Sequence, residues 1–178
     1  MTESAVFSEN ETKTNLVPVY HATRPELVPL VLDNGPLPMH EEALMVFPGD
    51  NHRQVSFKRD LKCLYNIFDE VAMWIKPTFQ RANSVFARVT LDACITSDPV
   101  FKLLINPDEV LVADQNNFDV ALEQFSYGFM DRVYYRAQKY WSTAVTLKDF
   151  STRNTDFDFP EVLIPNYVTK AQISIHSK

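Results

Sequence analysis

"VYHATRPELVPLVLDNG" (residues 19–35) decides how the rest of the chain is read. With the residues just before it, its first part is rich in branched and aromatic side chains, which predicts a strand over "LVPVYHAT" (16–23). The period then changes. Leu27, Leu30 and Val31 recur at helical spacing, and Pro25 suits an early helical position. Pro29 is awkward inside a helix and predicts a short or bent one. Asn34-Gly35 is a stop. A strand bearing Tyr20, His21 and Thr23 thus feeds directly into a short helix.

Outward from this stretch, residues 1–15 are polar and read as a flexible N-terminal tail, leaving residues 16–178 as a single domain. No apolar run has signal-peptide or membrane-span length, so a cytoplasmic protein without membrane contact is expected. The net charge of −6 argues against a broad phosphate-binding face. Cys63 and Cys94 lack metal spacing and a disulfide framework, which fits a reducing compartment, with a thiol pair as the weaker alternative.

Further along, "PLPMHEEALMVFPGDN" (36–51) is proline-rich and reads as irregular. In "RQVSFKRDL" (53–61), Val55 and Phe57 alternate with Gln54, Ser56 and Lys58, which predicts a second strand. From Leu61 to Arg81 the period is helical, with Leu61, Leu64, Tyr65, Phe68, Val71, Ala72, Ile75 and Phe79 on one stripe. "NSVFARVTL" (83–91) and "EVLVAD" (109–114) read as strands, the first alternating, and "PVFKLL" (99–104) as a short one. One long helix is predicted from Phe118 to Trp141, burying Phe118, Leu122, Phe125, Phe129, Val133, Ala137 and Tyr140. "KDFSTRNTDFDF" (148–159) reads as a polar loop, and "PEVLIPNYV" (160–168) and "AQISIHS" (171–177) as closing strands. The class is α+β, with short strands around two long helices.

Three scattered glycines build no phosphate loop, and His21, His40, His52 and His176 lack metal-ligand spacing. The polar residues that strands would carry are His21, Ser56 and Glu161. Each has an ordinary explanation: a satisfied core histidine, a solvated strand face, a solvated carboxylate at a strand start.

Their order along the chain carries more. "VYHATRPELVPLVLDNG", "VSFKRDL" and "FPEVLIPNYVTKAQISI" together resemble the three motifs of the ADP-ribosyltransferase superfamily, nearest to the DarT-type DNA ADP-ribosyltransferases and related bacterial and phage proteins. The resemblance implies a split β-sandwich whose cleft binds NAD as a substrate, without a metal. It places Tyr20, His21, Thr23, Ser56 and Arg59 in NAD binding, with His21 on a ribose hydroxyl and Arg59 on the pyrophosphate. It makes Glu161 and Ser56 catalytic: Glu161 would stabilise the cation formed as the glycosidic bond breaks, and Ser56 would position the nicotinamide side.

The implied activity is transfer of ADP-ribose to a macromolecule. The acidic loop 148–159 and the net charge favour a protein acceptor, while the basic face of Arg132, Arg136 and Lys139 favours nucleic acid. Phe150, Phe157 and Phe159 are the loop's candidate acceptor contacts. The alternative is a catalytically inactive relative that binds or inhibits a partner, such as a phage host-takeover factor.

Overall fold

The computed structural model describes residues 15–38, 52–94, 98–153, 155–165 and 172–176. The predicted tail and the "IPNYV" turn fall largely outside them, as does most of the irregular segment 36–51. The fold is mixed α+β with two antiparallel sheets. Strand β1 is Val17–Ala22, followed by a 3-10 turn at Pro25–Leu27 and helix α1 at Val28–Asn34. The break before α1 removes the difficulty at Pro29, which falls at the start of a new helix, where its missing N–H costs nothing. Gly35 ends α1 with a φ of 91°, a conformation that favours glycine.

Helix α2 spans His52–Ile75, and this corrects the second predicted strand. Ser56 and Arg59 lie in its first turns. Alternation over a few residues was a weaker signal than the helical stripe beyond it, and no glycine or proline separates residue 52 from Ile75 to stop the helix running back.

Strands β2 (Val85–Ala87), β3 (Val100–Ile105) and β4 (Leu111–Asp114) follow. The single long helix expected after them is two, α3 (Gln115–Ser126) and α4 (Met130–Thr143). Gly128, at φ 78°, makes the break. Its N–H donates to Phe125 O at 3.0 Å and that of Phe129 to Gln124 O at 3.0 Å, the paired bonds of a Schellman ending. Strand β5 is Val145–Thr146, and α5 is Leu147–Thr152, where a loop was expected. Thr146 caps α5, its hydroxyl accepting from Asp149 N at 3.1 Å. Strands β6 (Pro160–Ile164) and β7 (Ile173–His176) close the chain.

One sheet has the order β1-β3-β7 and the other β2-β6-β4-β5. The second is covered on both faces. Phe86, Leu111, Ala113 and Leu163 meet the helices α2, α3 and α4, while Val85, Val112, Val162 and Ile164 meet Val19, Phe101 and Leu103 of the first sheet. Double burial is why "VFA", "LVA" and "VLI" are continuous apolar runs. The alternation expected in β2 is absent for the same reason. Among the described residues the two sheets are stitched at one bridge: Tyr20 N donates to Arg88 O at 2.9 Å, and Arg88 N to Tyr20 O at 2.7 Å.

Candidate active-site cleft

Glu161 is the second residue of β6, opposite Ala113 of β4. Alternation along β6 sends Val162 and Ile164 to the other sheet and Leu163 to the helices. Glu161 shares the helix side, where a carboxylate must find donors. It is 3% exposed, and two donors meet its Oε1: Arg81 Nη1 at 2.6 Å and the Tyr140 hydroxyl at 2.6 Å. Arg81 Nη1 also donates to the Tyr140 oxygen at 2.9 Å, which closes a triangle. Glu161 Oε2 has no hydrogen-bond partner among the described residues.

Arg81 is set by its surroundings. Its N–H donates to Asp69 Oδ1 at 2.5 Å, anchoring the turn after α2. Its guanidinium carbon lies 3.7 Å from the Phe118 ring centroid and 4.2 Å from that of Phe86. Burial, the largest single influence, pushes its pKa down, but Glu161, through its charge and hydrogen bond, together with Tyr140 and Tyr65, holds it above the ordinary value. Arg81 is therefore cationic. Burial raises the Tyr140 pKa well above the usual phenol value, with Arg81 opposing and Glu161 adding, so Tyr140 remains a donor.

Tyr65, also against Arg81, is pushed up to about 12, first by burial, with Arg81 opposing and Glu161 adding. Because the folded value lies above the unfolded one, the associated stability is complete below the unfolded pKa of 10.0 and is lost as pH rises towards about 12. The expected loss is about 2–3 kcal/mol. Urea midpoints between neutral pH and that window should fall, and Tyr65→Phe should make the fall shallower. An equally steep fall in Tyr65→Phe would assign it to other groups.

The triangle borders a cavity of about 630 Å³ where the two sheets join. Tyr20 of β1 and Glu161 both line it, as do Arg88, Gln115 and Phe159. A second cavity, about 470 Å³, is lined by Asp108 and Glu109, with no basic group in its wall among the described residues.

Of the residues singled out in the sequence, Tyr20 and Glu161 line one cavity. His21 is buried beside it. Its Nδ1 meets Phe86 O at 2.6 Å, and because a carbonyl only accepts, Nδ1 carries the proton. Thr23 is buried, its N–H donating to Pro99 O at 3.0 Å.

Ser56 and Arg59 do not reach the cavity wall. Arg59 is exposed on α2 and pairs with Asp60 at 3.7 Å, so the strand that would have carried both residues to NAD does not exist. The loop aromatics also divide. Phe150 and Phe157 stack on each other, centroids 5.7 Å apart, against the core, and Phe159 alone lines the cavity. Cys94 is at the wall and Cys63 is exposed on α2, and the two form no disulfide.

Arg81, Tyr140 and Arg88 were not foreseen as site residues. Tyr140 carried a usable signal, since a phenol on a helix's buried stripe needs a buried partner. Arg81 and Arg88 carried none. Among the described residues no helix is long and apolar enough to cross a membrane.

No family model matches the chain, and neither curated proteins nor solved structures yield a match.

Proposed function

We propose that the protein is a mono-ADP-ribosyltransferase of the split β-sandwich type, transferring ADP-ribose from NAD to a macromolecule. The observation that carries this reading is Glu161: a buried carboxylate at the head of a central strand, held through one oxygen, at the wall of a cavity between two sheets. The cavity volume of about 630 Å³ suits a substrate of this size, within the ~300–1,000 Å³ usual for small-molecule sites.

In the reaction, the bond between ribose C1′ and the nicotinamide nitrogen breaks. Its electron pair goes to the ring, neutral nicotinamide leaves, and the positive charge passes to the ribose. A fixed carboxylate is worth most at that moment, because the charge it faces moves onto the ribose in the transition state. The acceptor's lone pair then closes on C1′, and its proton leaves to Glu161 or water. Arg81 and Tyr140 stop the carboxylate from rotating. Tyr20 lines the same cavity, and the buried His21 and Thr23 follow it in the chain.

A protein acceptor is favoured over nucleic acid, since the rim residues Asp119 and Asp158 are acidic and the chain's net charge is −6. The second reading, an inactive binding module, draws on the same triangle: a buried Arg81–Glu161 pair also serves a purely structural role.

Two measurements separate them. Millimolar NAD should raise the melting temperature, because a ligand that binds only the native state stabilises it. Nicotinamide should be released, and incubation with NAD and lysate should leave ADP-ribose adducts detectable by mass spectrometry. A shift without nicotinamide release selects the binding module. Neither effect rejects the NAD reading.

A further inference from the structure

Arg88 sits where the two sheets meet. Its backbone makes both bonds of the bridge to Tyr20, so its Cα is fixed from either side. Its half-buried side chain lines the large cavity. Nη1 donates to Pro160 O at 3.4 Å, next to Glu161 in the chain, and Nη2 donates to Gln115 Oε1. Both acceptors are neutral. Among the described residues Arg88 forms no ion pair, whereas Arg59, Arg81 and Arg153 are paired with Asp60, Glu161 and Asp149. A guanidinium has five N–H donors in a planar fork, and the two acceptors leave the rest of that fork unused.

We infer that Arg88 is the anion seat of the cleft and takes the diphosphate of a nucleotide, with Phe159 as the aromatic surface beside it. Three observations support this. Among the described residues no carboxylate forms an ion pair with this charge, the fork is held in place before any ligand arrives, and Phe159 is 59% exposed at the same wall. A guanidinium aligned in advance meets two phosphate oxygens with little ordering cost.

The wall also carries Asp119 and Asp158, tethered by Gln115 Nε2 at 3.4 Å and Asn116 Nδ2 at 3.2 Å. These carboxylates oppose a bare anion and favour a ligand that also has a cationic part. NAD, with its cationic ring, should satisfy both signs of charge and therefore bind more tightly than inorganic phosphate. The inference rests on the NAD reading and replaces Arg59 by Arg88 as its pyrophosphate contact.

The test is calorimetric titration of ADP-ribose into the full chain and into Arg88→Ala, Arg88→Lys and Arg59→Ala. Arg88→Ala should weaken binding by about ten- to hundredfold, the range for losing hydrogen bonds to a charged group. Arg88→Lys should recover only part of the loss, because an ammonium lacks the fork, and it serves as the measured variant if Arg88→Ala does not fold. Arg59→Ala should bind as the wild type does. Wild-type affinity in folded Arg88→Ala, or in Arg88→Lys where only that folds, overturns the inference and leaves the NAD reading standing. No ADP-ribose binding by the wild type, with no nicotinamide release from NAD, overturns both.

Discussion

Arg81→Met should destabilise the domain by about 3–5 kcal/mol, the loss typical when one partner of a buried ion pair is removed. For a chain of this length that is roughly a 10 °C fall in melting temperature. The reason is what remains behind. Glu161 is 3% exposed, and without Arg81 it keeps only the Tyr140 hydroxyl as a donor. A carboxylate in that position has lost its water without gaining a countercharge. Methionine fills the space among Phe86, Phe118 and Tyr65 with a flexible apolar chain, so packing is lost less than charge balance.

The double variant Arg81→Met/Glu161→Leu removes both charges and should recover most of the stability, because an apolar pair of similar volume needs no desolvation. Urea unfolding of the two singles and the double gives the coupling directly. If Arg81→Met costs under about 1 kcal/mol, the pair is reached by water and behaves as a surface ion pair.

How far the sequence foretold this arrangement depended on whether local pattern or distant contact set each element. The opening stretch was legible because its signals were local. A branched run made β1, and Pro25 and Gly35 punctuated the turn and helix after it. Glu161 was legible as a strand head because the proline before it and the apolar run after it are themselves local signals.

Residues 53–61 were misread because two periods fit them. Over so few residues Val55 and Phe57 satisfy alternation, while Phe57, Leu61 and Leu64 satisfy a helix, and the helix prevailed because it could grow continuously into a strong stripe. The α3–α4 break was missed for a related reason. Phe125, Phe129 and Val133 keep helical spacing across Gly128, so the stripe looked unbroken, although glycine was the stop signal. The partners of Glu161 were invisible for a deeper reason. Arg81 and Tyr140 are 80 and 21 residues from it in the chain, and only the packing of α2 and α4 on the sheet brings them together.

Glu161→Gln should lower nicotinamide release by about 10²-fold or more, the usual consequence of losing one key electrostatic or acid–base group. Glutamine keeps the shape and leaves an oxygen for Arg81 and Tyr140, so the side chain can stay in place. What it loses is the negative charge, and that charge matters most when the ribose becomes cationic. ADP-ribose carries no nicotinamide and, in the proposal above, engages the cleft through Arg88, so its affinity should change by no more than about threefold, as expected for a group whose contribution is largely confined to the transition state.

The variant also leaves Arg81 without its countercharge, so reduced stability is expected alongside. Assays therefore belong well below its melting temperature, with ADP-ribose binding as the check that the cleft is intact. Tyr140→Phe provides the contrast. It removes a neutral donor from Oε1 while the ion pair stays, so turnover should fall less than in Glu161→Gln. Equal losses of ADP-ribose binding and turnover in Glu161→Gln would make Glu161 a structural residue. Undiminished turnover, with binding intact, would remove it from the chemistry altogether.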